Sequence, residues 1–266
     1  MARTLAITNQ KGGVGKTTTA INLAASLAAA EVPTLLVDCD PQANASSGLG
    51  VDPDAGLTLY HGLRGEAAAA ALVRPTCMQG LDLIPASRDL VGLNLELVNE
   101  PEREQRLRQL LAPLQPQYGF ILLDCPPALD LLNLNALVAA DALIIPLQCE
   151  YFALEGVAQL VRTLEAVRGG FNPALEIAGV LFTQFDERTN LSRQVAESLR
   201  AHFGESIFKT VIPRNIRLAE APSHGLPVLL YDLRSRGAES YLQLAHEVID
   251  REQARATPAQ SSGTGA

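Results

Sequence analysis

Of the 21 basic residues in this 266-residue chain 18 are arginine, and two of the three lysines, Lys11 and Lys16, fall within one hexapeptide. A sequence that uses arginine almost everywhere else and keeps lysine here calls for compact ammonium groups rather than planar guanidinium forks. Between the two lysines run Gly12, Gly13, Val14 and Gly15, and Thr17 and Thr18 follow. Glycines let backbone N–H groups close around phosphate oxygens, and a helix that starts at such a loop turns its positive end to the anion. Lys16 can then bridge the outer phosphates of a polyphosphate, and the Thr17 hydroxyl can ligate Mg²⁺. Carboxylates come from elsewhere. Asp38 and Asp40 follow the apolar run 34–37, and Asp124 ends the apolar run 120–123, so that an apolar strand delivers one carboxylate beside the phosphates. A second reading has Asp38 and Asp40 capping a turn ahead of Pro41.

These groups need a scaffold that holds strand ends together. The run 4–8 reads as a strand that enters the glycine loop, and the helix after the loop carries an apolar face of Ile21, Leu23, Ala24, Leu27 and Ala28 before stopping near Pro33. Further strands are predicted over 34–37, 81–85, 120–123, 142–147, 177–182 and 207–211. Helices are predicted over 102–114, 131–140, 154–167, 191–203 and 238–251, with only short helical pieces between 42 and 80. Most of these strands are nearly continuous apolar runs, as in sheets buried on both faces. The alternation implies an α/β fold with a doubly wound, mostly parallel sheet flanked by helices. One domain over 1–251 is expected, followed by a small, polar tail over 252–266 that reads as disordered.

Composition narrows the function classes. With 47% hydrophobic residues the chain can bury a sizeable core. It has no apolar run long enough to span a bilayer and no signal-peptide-like start, so neither secretion nor a membrane location is expected. Cys39, Cys77, Cys125 and Cys149 are far apart and form no CxxC pair, so they read as reduced, cytosolic thiols. The net charge of −8 confines any nucleic-acid contact to a local patch, and the stretch 186–236, with eight basic and six acidic residues, is the candidate.

An ordinary P-loop would have its first glycine at position 10, where this chain has Gln10 with Lys11 directly after it. This deviant Walker A form, KGGVGKT within TNQKGGVGKTTTAINLA, resembles the signature of the ParA/MinD ATPases, and of the chromosomal ParA (Soj) branch in particular. The resemblance runs from Thr4 to about Asp250 through LLVDCDPQANASSGLG, the DCPP at 124–127, ALIIPLQCEYFALEG, FDERTNLSRQV and TVIPRNIRLAEAPSHGLPVLLYDLRSRGAESY. It implies a P-loop NTPase that hydrolyses ATP with Mg²⁺. Lys11 would reach across an ATP-dependent homodimer to the partner subunit's phosphates. Asp40 would position the attacking water, with Asp38 the nearby alternative and Asp40 also a candidate metal ligand. Asp124 would hold Mg²⁺ through water, with Cys125 a small residue behind it. ATP contacts would comprise Lys11, Gly12, Gly13, Val14, Gly15, Lys16, Thr17 and Thr18, with Pro213 and Asn215 at the adenine unless those two form an ordinary turn. The ATP-bound dimer would bind double-stranded DNA without sequence preference through Arg188 and Arg217. A ParB/Spo0J-type partner would stimulate hydrolysis and release, in a cytoplasmic, nucleoid-associated cycle of chromosome or plasmid partition.

Two rival classes share the loop. A MinD-like membrane-cycling ATPase would end in an amphipathic basic helix, which this tail lacks. An ATP-dependent biosynthetic enzyme would turn over ATP on a small acid and ignore DNA. The chain also departs from the family pattern: Ala43 and Asp130 stand where glycine is usual. Alanine is expected to resist a positive φ, and Asp130 to bring an anion near the phosphates.

Overall fold

The computed structural model describes residues 1–52, 54–150, 153–186 and 188–256. Its strands are β1 (Arg3–Ile7), β2 (Thr34–Asp38), β3 (Arg74–Pro75), β4 (Leu81–Ile84), β5 (Phe120–Asp124), β6 (Ala142–Leu147), β7 (Glu176–Phe185) and β8 (Ile207–Pro213). They form one sheet in the order β3-β4-β2-β5-β1-β6-β7-β8, with every neighbouring pair parallel except β3 with β4. The two residues of β3 are too few to show a periodicity. Arg74 fastens this edge by donating to the carbonyls of Asp52 and Leu57 at 3.1 and 2.9 Å.

Helices α1 (Lys16–Ala29), α2 (Asn44–Gly48), α3 (Leu59–Arg64), α4 (Ala69–Leu72), α5 (Leu93–Glu96) and α6 (Arg106–Leu111) fill the first half. In the second half follow α7 (Leu131–Ala139), α8 (Ala153–Gly170), α9 (Asn190–Phe203), α10 (Ile216–Glu220), α11 (Val228–Tyr231) and α12 (Arg236–Ala256). The single helix expected over 102–114 is instead α6 between two 3₁₀ turns, Arg103–Gln105 and Ala112–Gln117. Pro113 and Pro116 lack the N–H that would continue the α ladder.

Alternation along each strand divides the core into two layers. Ala6, Leu35, Val37, Ile121 and Leu123 pack on one face with Leu132 and Ala136 of α7, Val157 and Leu160 of α8, and Leu199 of α9. Leu5, Ile7, Leu36 and Leu122 pack on the other with Ile21, Leu23 and Leu27 of α1 and Tyr241, Leu244 and Val248 of α12. With both faces covered, the central strands must be apolar throughout, which is why they were legible as apolar runs.

The last helix corrects the expected domain end. α12 runs to Ala256, so 252–256 are helix and not tail. Glu252 pairs with Arg3 at 3.0 Å and Arg255 with Glu176 at 2.8 Å, tying these turns to the strands β1 and β7. The rest of the expected tail, 257–266, lies outside the described residues.

Candidate active site

Because β5 lies between β1 and β2, the carboxyl ends of three parallel strands meet. Asp124 is in register with Ile7 on one side and Asp38 on the other. Ligands of open α/β sheets bind in the crevice outside such ends.

The loop leaves β1 through Asn9, whose Nδ2 donates to the Pro146 carbonyl at 2.8 Å and whose Oδ1 accepts the Lys11 N–H at 3.0 Å. Gly13 and Gly15 take φ of +74° and +87°, which an L side chain would strain. Left-handed residues at such intervals turn successive N–H groups inward as an anion nest. α1 then opens at Lys16 with no acidic residue in its first turn, so its positive end faces the loop uncompensated.

The two lysines differ in exposure and partner. Lys16 is 8% exposed and its Nζ donates to the Lys11 carbonyl at 3.1 Å. Burial lowers its pKa, against the charges of Asp124, Cys125 and Asp40. The Lys11 side chain is 45% exposed and its ammonium pairs with Glu150. Gln10, in the place of the usual first glycine, donates to Thr163 Oγ1 of α8 at 3.1 Å.

The three carboxylates differ sharply. Asp38 is fully buried; its Oδ2 accepts the N–H and hydroxyl of Ser46 at 2.8 and 2.7 Å, and its Oδ1 accepts the Asp40 N–H at 3.2 Å. Burial raises its pKa to about 6 against those hydrogen bonds. Asp40 is half-buried, accepts the Gln42 N–H at 3.0 Å and borders the cavity beside the loop. Asp124 is fully buried and neither carboxylate oxygen has a hydrogen bond of ordinary geometry. Burial, and then the charge of Asp38, push its pKa well above the carboxylate range, while Thr17 and Lys16 pull it down. A buried carboxylate this poorly partnered must be neutralised, by a proton or by a cation. Asp124 with the Thr17 hydroxyl supplies the hard oxygen donors that suit Mg²⁺.

A cavity of about 310 Å³ is lined by Gly12, Gly13, Gly15, Lys16, Thr17, Thr18, Asp40 and Asn44 among others. A neighbouring cavity of about 570 Å³ shares Gly15, Thr18 and Gln184 with it and reaches Pro213, Asn215 and Tyr241. Phosphate-side and base-side candidates therefore line adjoining spaces. Val14 is buried under the loop.

The AAA domain family profile matches residues 2–177. Over 254 residues the chain is 53% identical to the chromosome partitioning protein ParA of Myxococcus xanthus, spanning 95% of this chain and 89% of that protein. It is 54% identical over 256 residues to ParA of Caulobacter vibrioides, spanning 95% and 96%. The chain belongs to the ParA/Soj family of chromosome-partitioning ATPases. Its fold is similar to that of the cobyrinic acid a,c-diamide synthase of Mycobacterium smegmatis solved with bound ADP and magnesium: TM-score 0.84, 35% identity, spanning 96% of this chain and 97% of that one.

Against the ParA pattern, both departures have local explanations. Ala43 takes the left-handed conformation that alanine was expected to resist, with φ +52°. Its N–H donates to the Asp40 carbonyl at 2.9 Å and its own carbonyl accepts the Ser47 N–H at 3.0 Å, so α2 and the Asp40 turn together impose it. Asp130 caps α7 by accepting the Asn133 N–H at 3.1 Å, and its charge is spent on that helix end.

Asn215 likewise caps a helix, accepting the Arg217 N–H at 2.8 Å, so it belongs to a turn as well as to the larger cavity. The two arginines nominated for DNA are both held by acids. Arg188 makes two bonds to Asp186, at 2.8 and 2.7 Å, and Arg217 lies between Glu220 at 2.8 Å and Asp232 at 3.2 Å. Beside Arg188, Arg214 and Arg236 line a third cavity, and neither has an ion pair among the described residues. Sequence reasoning missed Asn44, Gln148, Thr183, Gln184 and Tyr241. Gln148, Thr183 and Gln184 did carry a signal, as polar residues at the carboxyl ends of the apolar strands β6 and β7. Tyr151 and Phe152 of the family-like segment lie outside the described residues.

Proposed function

We propose that the chain is an ATP-dependent dimerising switch for chromosome or plasmid partition. The observation that carries this reading is the contrast in exposure between the two lysines. Lys16 is buried with its Nζ on the Lys11 carbonyl beside the phosphate cavity, while Lys11 is exposed on the same loop. An exposed ammonium on a phosphate loop serves its own nucleotide poorly and a partner subunit's nucleotide well.

In this mechanism the loop N–H groups and Lys16 hold the ATP phosphates, and Pro213 and Asn215 border the adenine. Asp124, through water, and the Thr17 hydroxyl would hold Mg²⁺, which would supply positive charge to the phosphates. Asp40 orients the attacking water; Asp38 is occupied by Ser46 and the Asp40 N–H, which leaves Asp40 the freer carboxylate. Lys11 from the partner completes the site. The dimer joins two weak basic patches, so its affinity for double-stranded DNA rises with ATP and falls with salt. DNA phosphates would replace Asp186 on Arg188 and Glu220 and Asp232 on Arg217, beside Arg214 and Arg236, which have no ion pair among the described residues. A ParB-type partner stimulates hydrolysis and releases the dimer from the nucleoid in the cytoplasm.

No helix among the described residues is long and apolar enough to cross a membrane. The 35% identity to a cobyrinic acid a,c-diamide synthase keeps one rival reading, ATP turnover on a small acid. Sedimentation with and without ATP, repeated with nonspecific duplex DNA at low and high salt, tests the proposal. The expected result is an ATP-dependent dimer that binds DNA and releases it as salt rises. A chain that binds ATP yet stays monomeric, or ignores DNA under all conditions, moves the assignment to the rival.

A further inference from the structure

The Gly13 carbonyl receives two side-chain donors. Gln148 Nε2, just past β6, lies 3.0 Å from it, and Gln184 Nε2, within β7, lies 2.9 Å from it. A carbonyl oxygen has two lone pairs, so both are filled. In a trans peptide the N–H points opposite to the C=O, so fixing the Gly13 oxygen on these two side chains also fixes the direction of the Val14 N–H. Thr183 Oγ1 does the same one residue on, donating to the Val14 carbonyl at 2.7 Å and so directing the Gly15 N–H.

The backbone of Gln184 supports a dedicated role. It takes φ +49°, one of four non-glycine residues at positive φ among those described. Such conformations persist where surrounding structure imposes them, and they cluster at functional sites. Gln184 also borders both cavities, the one beside Lys16 and the one beside Pro213.

We propose that Gln148 and Gln184 are positioning residues for nucleotide binding, which aim the Val14 N–H at the phosphates by jointly holding the Gly13 carbonyl. Neither touches the reacting atoms. The role requires only that the loop binds ATP, and it is independent of dimerisation and of DNA.

The test uses the full chain with Gln148→Met, Gln184→Met and both together, since methionine keeps the length and removes the donor. Calorimetric Kd for MgATP, kcat and KM, and the melting temperature without nucleotide are measured. Each single variant leaves one donor in place and weakens MgATP binding about threefold, whereas the double variant weakens it about thirtyfold, more than the product of the singles. KM rises in parallel, while kcat at saturating ATP and the nucleotide-free melting temperature stay close to the starting values. Gln184→Asn adds a check that does not depend on the double variant folding: asparagine accepts the left-handed backbone but is too short to reach, so it weakens binding as Gln184→Met does. Wild-type affinity in the double variant or in Gln184→Asn overturns the proposal. So does a loss that tracks a fall in melting temperature or in kcat, because that is the signature of a structural role.

Discussion

Lys11 and Lys16 lie five residues apart, yet only one has freedom to leave the molecule. Lys11 is bound to Glu150 by an exposed ion pair, and such pairs are worth about 0–1 kcal/mol. That is weak enough for a partner's triphosphate to win. Glu150→Gln removes the competitor, and the expected outcome is an ATP-dependent dimer at lower protein concentration by sedimentation. Lys11→Ala is expected to keep ATP binding and lose the dimer; a dimer of unchanged affinity would sink the trans role. Ala43 is a different residue-scale question. Relief of its left-handed strain by Ala43→Gly gains about 1–2 kcal/mol. Against that stand added unfolded-chain entropy of about 0.4–1 kcal/mol and a buried methyl worth about 0.8 kcal/mol. The terms nearly cancel, so thermal unfolding should shift by no more than about 4 °C. Of these site residues, the loop was legible because glycine, lysine and threonine do a task no other types do. The choice between Asp38 and Asp40 was not, because both are aspartates after one strand and only the fold shows that Ser46 closes around Asp38.

Among the elements, β8 shows how the sheet's outer edge is finished. The Glu247 carboxylate of α12 accepts the backbone N–H groups of Lys209 and Thr210 at 2.8 and 2.9 Å and pairs with Arg251 at 2.8 Å. It thereby covers edge donors that could pair with another chain. Burial alone would raise its pKa, but the N–H groups of Lys209 and Thr210, the Thr210 side chain and Arg251 lower it below 4.5. A carboxylate whose folded pKa is lowered stabilises fully above its unfolded value and loses that contribution as pH falls through the folded one. Glu247→Ala should cost about 1–2 kcal/mol at pH 7 by denaturant unfolding, the charged-acceptor figure discounted for partial exposure. The gap to wild type should begin to narrow as pH falls below the ordinary glutamate value of about 4.3 and close below the lowered folded one, and amide exchange at Lys209 and Thr210 should speed up in the variant. A gap that persists at low pH would mean that packing and not the carboxylate holds β8. No sequence pattern announced this contact, since Glu247 and β8 meet only when α12 folds back. The apolar strands, by contrast, were readable because burial on both faces leaves no room for polar residues, while Pro113, where the helix within 102–114 gives way to a 3₁₀ turn, was in plain view and outweighed by the leucines.

At the scale of the whole molecule, a chain of net −8 should repel DNA, and a basic patch must act against that field. Arg188 and Arg217 spend their charge on neighbouring acids, so neither is a free cation in the monomer. Two monomers joined double the count of cations without a new residue. Binding then follows counterion release, in which log K falls against log salt with a slope of about −0.9 for each phosphate neutralised. The ATP-bound wild type should therefore show about twice the slope of Lys11→Ala, which binds ATP but stays monomeric. Arg214→Ala and Arg236→Ala each remove two cations from the dimer and should lower its slope by about 2 while leaving ATP-dependent sedimentation intact. If the slope is the same with and without ATP, dimerisation does not assemble the DNA surface and these arginines serve another face of the protein. If it doubles with ATP and shrinks with the arginines, nucleotide state has been converted into phosphate contacts, and two lysines set five residues apart in the loop decide when DNA is held.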